Sequence, residues 1–317
     1  MTDDTPLVAY DEFALFHENI AEFELDVAEI PPVERREIGL PHDLGRHVSA
    51  LRWGRHEPEI VVIHGGAQNA HTWDTVLLAL GRSAVAIDLP GHGHSHWRSD
   101  GAYSPPNLAD DVAPAVADLA PDAAVIVGMS LGGLTAMELA VRHPELVRRL
   151  VMVDITPGVN QRKAKAVLDF VDGPQTFASF DDLVARTIEH NPTRSESSLR
   201  RGILHNAKQH PDGSWQWRYD RSSHARSSLP DPAEPPSEPA VDATPVLSPM
   251  WDDFSRVRCP MTLVRGSLSP VVDDADVAEA RRRQPDLDVV VVDGAGHSVQ
   301  GDRPVELAAI LAALLAS

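Results

Sequence analysis

The sequence predicts an α/β fold, a mostly parallel sheet flanked by helices, and two observations carry that prediction. Short, wholly apolar runs such as Ile60-Val61-Val62-Ile63 and Val289-Val290-Val291-Val292 are what strands buried on both faces require. Between such runs, apolar residues recur three and four positions apart, the period of an amphipathic helix, so the chain reads as repeated strand–helix–strand units. A length of 317 residues is enough for one large α/β domain or two small ones.

Residues 1–30 hold nine acidic side chains and no Lys or Arg, yet Phe13, Phe16, Ile20, Phe23, Val27 and Ile30 form one apolar stripe at helical spacing. An acidic amphipathic helical extension is therefore expected over 1–33. It should dock on the main domain, with a homodimer contact or a flap over the site as the alternatives. The first part of the core is expected over 34–156, with strands at 47–53, 60–64, 84–88, 123–128 and 149–153. Helices should occupy 72–80, 107–119 and 131–142. Between the strand ending near 153 and the next, at 261, stand about a hundred residues, far too many for one crossover. A cap is therefore expected over 157–250, inserted after the strand at 149–153 and mainly helical (161–171, 179–190, 195–207). Pro211-Asp212-Gly213 predicts a turn, and Trp215, Trp217 and Tyr219 at alternate positions predict a strand. Seven prolines within 229–249 leave that stretch neither helix nor strand. The core should resume over 251–317 with strands at 261–265 and 287–292 and helices at 274–284 and 304–315. The last helix sets Leu307, Ile310, Leu311 and Leu314 on one face.

A formal charge of -19, from 28 Lys+Arg against 47 Asp+Glu, argues against nucleic acid and anionic membranes as partners, since both select basic patches. The opening MTDDTP lacks a basic region followed by an apolar one, and no window reaches the roughly 18 apolar residues of a membrane span. A cytoplasmic protein is expected. Cys259 is the single cysteine, so neither a disulfide framework nor a redox pair can form within the chain; it reads as a half-buried residue entering a strand.

The strongest chemical signal is Gly128-Met129-Ser130-Leu131-Gly132, a G-x-S-x-G pattern set between an apolar strand and a helix. A strand that turns at once into a helix holds its turn residue in a strained conformation and needs small neighbours where the backbones meet. Such a turn lifts the Ser130 hydroxyl to the carboxyl edge of the sheet, beside the unpaired N–H groups of a helix start, which favour developing negative charge. Three more segments belong with it: Val62-Ile63-His64-Gly65-Gly66-Ala67, Asp88-Leu89-Pro90-Gly91-His92-Gly93-His94-Ser95 and Asp293-Gly294-Ala295-Gly296-His297.

These motifs resemble those of the α/β-hydrolase superfamily, in its serine-nucleophile, esterase-like branch, over roughly residues 34–317 apart from the cap. The resemblance implies an α/β-hydrolase fold with a mostly parallel eight-stranded sheet, one strand more than the seven read from the residues, and the cap after its sixth strand. The resemblance implies that the backbone N–H of Gly66 or Ala67 joins that of Leu131 as an oxyanion hole, worth roughly 3–4 kcal/mol per donor. It implies that His64 braces its loop, and that the glycines and serine of 88–95 form a family turn rather than a metal site at His92, His94 and His96. The family's chain order, serine then acid then histidine, implies His297 as the base. Where most members place the acid, Val264-Arg265-Gly266-Ser267-Leu268-Ser269-Pro270 offers Ser269, a hydroxyl that cannot supply a buried negative charge. Asp154, after the preceding core strand, is the favoured acid. Asp273 and Asp274 are the alternatives, with Ser269 as a hydrogen-bonding neighbour.

The implied reaction is hydrolysis of a carboxylic ester, thioester or lactone through an acyl-enzyme on Ser130, with no metal or organic cofactor. A serine at this turn argues against the haloalkane dehalogenase and epoxide hydrolase chemistries, which use an aspartate. Carbon–carbon bond hydrolysis and a non-catalytic binding protein of the same fold remain the alternatives. Met129 and Leu131 make the near end of the pocket apolar. Trp215, Trp217 and Tyr219 either wall it or pin the cap to the core, so a small to medium hydrophobic substrate is expected.

Overall fold

The computed structural model describes residues 8, 10–160, 162–191, 193–221 and 248–317. In chain order, the large sheet takes up β1 (Val33–Gly39), β2 (His47–Trp53), β3 (Ile60–Ile63), β4 (Ala84–Ile87), β5 (Val125–Met129) and β6 (Leu150–Val153). A small sheet follows, made of β7 (Thr176–Phe177), β8 (Ala207–Gln209) and β9 (Trp215–Trp217). Then β10 (Met261–Gly266) and β11 (Asp288–Val292) complete the large one. Its spatial order is β1-β2-β4-β3-β5-β6-β10-β11. Only β1–β2 and β2–β4 pair antiparallel, and every other neighbour pair is parallel.

The central strands are parallel because each is followed by a helix that returns the chain across a face of the sheet, and the apolar runs are continuous because both faces are covered. All four residues of β3, β4 and β6 are buried. One face packs against α3 (Pro105–Leu119), α4 (Leu131–Arg142), α8 (Met250–Arg256) and α9 (Asp274–Arg283), through Leu108, Val112, Leu134, Met137, Trp251 and Phe254. The other packs against α2 (Asp74–Leu80) and α11 (Pro304–Leu315), through Trp73, Leu77, Leu307 and Leu311. The short α10 (Val299–Asp302) precedes α11.

Two expectations change at the N-terminal side. The stripe from Phe13 to Ile30 does not form one helix: α1 spans Phe16–Glu22, and Glu24 takes a left-handed backbone conformation (φ 50°) that ends it. Phe16 is buried with its ring centroid 4.9 Å from that of Trp53, whereas Ile30 is exposed. The strand β1 also escaped the sequence. Four of its seven residues, Glu34, Arg35, Arg36 and Glu37, are charged, which an edge strand tolerates because one row of its backbone groups and much of its side-chain surface face water.

Between β6 and α8 lies the expected excursion. It contains α5 (Lys165–Val171), α6 (Phe180–His190), α7 (Glu196–Asn206) and the small antiparallel sheet β7-β9-β8. Ser179 and Ser195 cap α6 and α7, each accepting the backbone N–H three residues on. The excursion has its own core, in which Trp215, Trp217 and Tyr219 pack with Val171, Leu183 and Ile203, and Ala67 of the large domain inserts into it. Apart from 248 and 249, the proline-rich stretch 229–249 lies outside the described residues. No described helix is long and apolar enough to cross a membrane.

A side chain at Gly132 would place its Cβ 2.4 Å from the carbonyl oxygens of Ile63 and His64, both main-chain atoms that cannot step aside. Gly132→Ala should therefore destabilise the protein by about 1–3 kcal/mol through overpacking. Gly202, inside α7, has nothing within 4 Å of the same position, and Gly202→Ala should stabilise by about 0.5–1 kcal/mol. Urea unfolding of the two variants checks the contrast, and equal midpoints would contradict it.

Candidate active site

No residue separates β5 from α4 except Ser130, so one position must carry the whole change of direction. Its backbone sits at φ 51°, ψ −120°, a costly region for a residue with a Cβ. Its N–H is tied to the Val153 carbonyl (3.1 Å), and its own carbonyl accepts the N–H of Gly133 (2.8 Å). Among the described residues, four non-glycine positions have positive φ: Glu24, Ala67, Ser130 and Asp154. The last three meet at one place on the sheet edge. Strain concentrated in this way is usual where a site must hold a fixed geometry.

The Ser130 hydroxyl lies 3.1 Å from His297 Nε2, and His297 Nδ1 lies 2.8 Å from Asp154 Oδ2. A neutral imidazole with its proton on Nδ1 satisfies both contacts, donating to Asp154 and accepting from Ser130. Asp154 is wholly buried, and its other oxygen accepts the Gly266 N–H at 3.0 Å. Ser269 donates its hydroxyl hydrogen to Asp154 Oδ2, while the Val271 N–H holds the Ser269 oxygen at 3.1 Å. The alternative acids stand elsewhere. Asp273 caps α9 and pairs with Lys163, and Asp274 is paired with Arg265.

Gly66 and Ala67 line the cavity beside Ser130, and neither Ala67 N–H nor Leu131 N–H finds an acceptor among the described residues. The Ala67 carbonyl accepts from Asn206 Nδ2 (2.6 Å), whose Oδ1 in turn accepts from Asn69 (3.2 Å), so α7 of the excursion braces this turn. Gln68 accepts the Gly65 N–H at 3.0 Å and reaches Ser298, next to His297, and Gln300 in α10. These amides were missed from the sequence because their partners lie 137 to 232 positions away, a distance at which no spacing rule operates. His64 is buried; its Nδ1–H donates to the Gly65 carbonyl and its Nε2 accepts the Leu89 N–H, which fixes the loop.

The cavity above Ser130 has a volume of about 280 Å³. Met129 and Trp217 lie on its wall with Val167 and Phe170. Trp215 and Tyr219 do not line it, a correction to the expected pocket, because both rings turn into the core of the excursion. Of the three histidines in 88–96, His92 Nδ1 lies 3.1 Å from the Pro90 carbonyl and His96 Nδ1 accepts the His47 N–H, so the rings serve separate partners. Asp88 organises that turn, accepting from Ala70 N–H, His94 N–H and Arg35. Burial alone would raise its pKa, but the Arg35 charge and these donors hold it lowered.

A cluster of His71, Asp74 and His205 on the cavity wall has ligand types suited to a metal ion. The two imidazoles are stacked, with centroids 3.8 Å apart and planes 8° from parallel. An ion about 2.0–2.1 Å from a nitrogen of each must lie near both ring planes, and parallel planes offer no such point. The arrangement suits a proton instead. His71 Nδ1 lies 2.9 Å from Asp74 Oδ2 and Nε2 lies 3.0 Å from Glu12 Oε1, two acceptors for the two N–H groups of an imidazolium. Burial opposes that charge, yet the two carboxylates push the pKa up to about 9. His205 goes the other way, well lowered by burial and by the neighbouring His71 charge.

A parallel sheet with a serine at the strand-to-helix turn and an imidazole and a buried carboxylate on the following loops defines a hydrolase of the α/β class. The chain belongs to the α/β hydrolase family, whose model, described as Alpha/beta hydrolase family, matches residues 60–310. It is 42% identical over 322 residues to Esterase Rv0045c of Mycobacterium tuberculosis, covering 99% of each chain. A crystal structure of that esterase superposes with a TM-score of 0.82, covering 98% of this chain and all of the other. A second relative, 2-(acetamidomethylene)succinate hydrolase of Mesorhizobium japonicum, is 29% identical over 83% of this chain and 89% of its own.

The His71 network makes stability depend on pH with a definite sign. A pKa raised from about 6.5 unfolded to about 9 folded contributes stability that is fully present below 6.5 and is lost as pH rises through 9. The melting temperature should fall between pH 7 and 9.5. His71→Gln should cost about 2–3 kcal/mol at pH 6 and flatten the decline. Parallel curves for the two proteins would assign the slope to other groups.

Proposed function

We propose that this protein is a serine hydrolase that cleaves a carboxylic ester of small to medium size and hydrophobic body through an acyl-enzyme on Ser130. The observation that carries the proposal is the unbroken hydrogen-bonded chain from Ser130 through His297 to Asp154, opening on a cavity with an apolar wall. The 42% identity to a protein named an esterase supports it. Thioesters and lactones need the same machinery and fall within the proposal.

In this mechanism Ser130 Oγ attacks the carbonyl carbon while His297 Nε2 takes its proton. Asp154 orients the imidazole and opposes the imidazolium with its charge. The Gly266 N–H and the Ser269 hydroxyl keep that carboxylate fixed. The N–H groups of Leu131 and of Ala67 or Gly66 receive the oxyanion. The leaving alcohol takes the proton from His297, and water repeats the sequence to release the acid. The excursion acts as a cap, with Trp217 and Phe170 against the substrate and Trp215 and Tyr219 stiffening it from behind. The α1 stripe serves docking rather than dimerisation, because its buried residue Phe16 packs on Trp53 of the same chain. We place the enzyme in the cytoplasm.

A fluorophosphonate probe should label the folded protein stoichiometrically and should not label Ser130→Ala. A folded, unlabelled wild type would favour the non-catalytic binding protein. Asp154→Asn should lower kcat by several orders of magnitude, about 10⁴ in the serine-protease precedent, with the fold retained. Ser269→Ala, which removes one donor to a charged oxygen, should cost roughly tenfold or more. Graded p-nitrophenyl esters, acyl-CoA thioesters and lactones measure the preference, and near-normal turnover by Asp154→Asn would remove that residue from the mechanism.

A further inference from the structure

Three Lys and Arg side chains among the described residues line the cavity, and they are not equivalent. Lys163 is held by Asp273 and Asp276. Arg201 is held by Glu22, with Glu18 at 3.7 Å. Arg194 has no carboxylate within ion-pair distance among the described residues: Nη2 donates to Ser198 Oγ at 2.6 Å, and buried Nε has no partner. The two carboxylates that bear on it from further off are committed to other groups. Asp302 accepts from Thr193 and the Gly296 N–H, and Glu22 from Ser195 and Arg201.

The guanidinium lies flat against Gly301, where a Cβ would meet Nε and Cζ at 3.1 Å and Nη1 at 3.3 Å. Gly301 is four residues beyond His297, and Arg194, Gly301, His297 and Ser130 all border the same cavity. A guanidinium stays charged throughout the ordinary pH range, so the part of it taken out of water without a counter-charge is stabilised when an anion meets it. A buried donor without an acceptor points in the same direction.

We propose that Arg194 is a specificity residue that receives a carboxylate carried by the substrate, through the planar fork that suits two carboxylate oxygens. The inference deepens the esterase proposal and rests on it: the substrate has an ester at Ser130, a hydrophobic body along Val167, Phe170 and Trp217, and an acid group toward Arg194.

Binding and turnover test this separately. Titration calorimetry on Ser130→Ala should show monomethyl glutarate or monomethyl adipate binding at least tenfold more tightly than the corresponding dimethyl esters. In the Arg194→Gln background that preference should disappear, and Arg194→Lys should restore part of it. With the Ser130 enzyme, the ratio of kcat/KM for the acid ester over the neutral one should fall by tenfold or more in Arg194→Gln. Butyryl glycolate, with the acid on the alcohol side, distinguishes the two ends of the substrate. Equal binding of monoacid and diester by the Arg194 chain would overturn the proposal with no variant needed at that position, and so would a preference that survives Arg194→Gln. Tight monoacid binding by Ser130→Ala, with no hydrolysis of any ester by the Ser130 enzyme, would sink the esterase proposal and leave Arg194 in place.

Discussion

A carboxylate taken completely out of water must have its charge met, and at Asp154 the three groups that meet it come from two other parts of the chain. Gly266 at the end of β10, Ser269 on the loop that follows and His297 after β11 all converge on two oxygen atoms. Each contact compensates part of the desolvation cost that burial imposes, and none comes from a sequence neighbour. The acid therefore does more than face the imidazole. It joins the edges of β6, β10 and β11, whose in-register parallel pairing brings Val153, Val264 and Val290 side by side. Loss of the sheet register would separate the carboxylate from its donors, so the site can be no more ordered than the three strands beneath it.

The backbone strain at the sheet edge follows from the same arrangement. Ser130 and Asp154 both take φ 51° immediately after adjacent parallel strands, and Ala67 takes φ 59° on the loop after β3. Each strand ends at the same height, so any side chain that must reach the common cavity has to leave its strand abruptly. The Ser130 and Asp154 amides are each pinned to the neighbouring strand, Ser130 N–H to Val153 and Asp154 N–H to Val264, which offsets the conformational cost with ladder hydrogen bonds.

What the sequence revealed and what it hid follow from the range of the interactions. The parallel strands were legible because burial on both faces leaves only apolar residues, and the turn at Ser130 because glycine is demanded at close backbone contacts. Asp154 was harder, since its partner histidine lies 143 residues away, beyond the reach of any spacing rule. Ser269 at the usual acid position was informative, because a hydroxyl there fits a carboxylate arriving from the adjacent strand. The edge strand β1 was hidden by its charges, and the length of α1 by an apolar stripe that continues after the helix has stopped. For Trp215 and Tyr219 two readings stayed open, because alternation reports that two residues share a face, not whether that face turns to a cavity or to another element; both rings take the second.

The acidic N-terminal segment shows how the cavity is closed from a third side. Glu12 bonds Arg35 and His71 of the main domain, Tyr10 OH lies 2.7 Å from His205 of α7, and Asn19 bridges Thr75 beside the sheet and Arg201 in the excursion. Glu12, Glu18 and Glu22 of this acidic segment thus act as a set of counter-charges for cations on two other parts of the molecule. Glu22 completes the set at Arg201 and Ser195. Through these contacts the segment holds the excursion to the sheet, while Asn19 and Phe23 form part of the cavity wall. Charge neutralisation is nearly complete around this rim, and that is why Arg194 stands out. In a chain with a large excess of acidic side chains, a cavity-facing guanidinium with no carboxylate within ion-pair distance among the described residues is not explained by scarcity, and a carboxylate of the substrate is the counter-charge we propose for it.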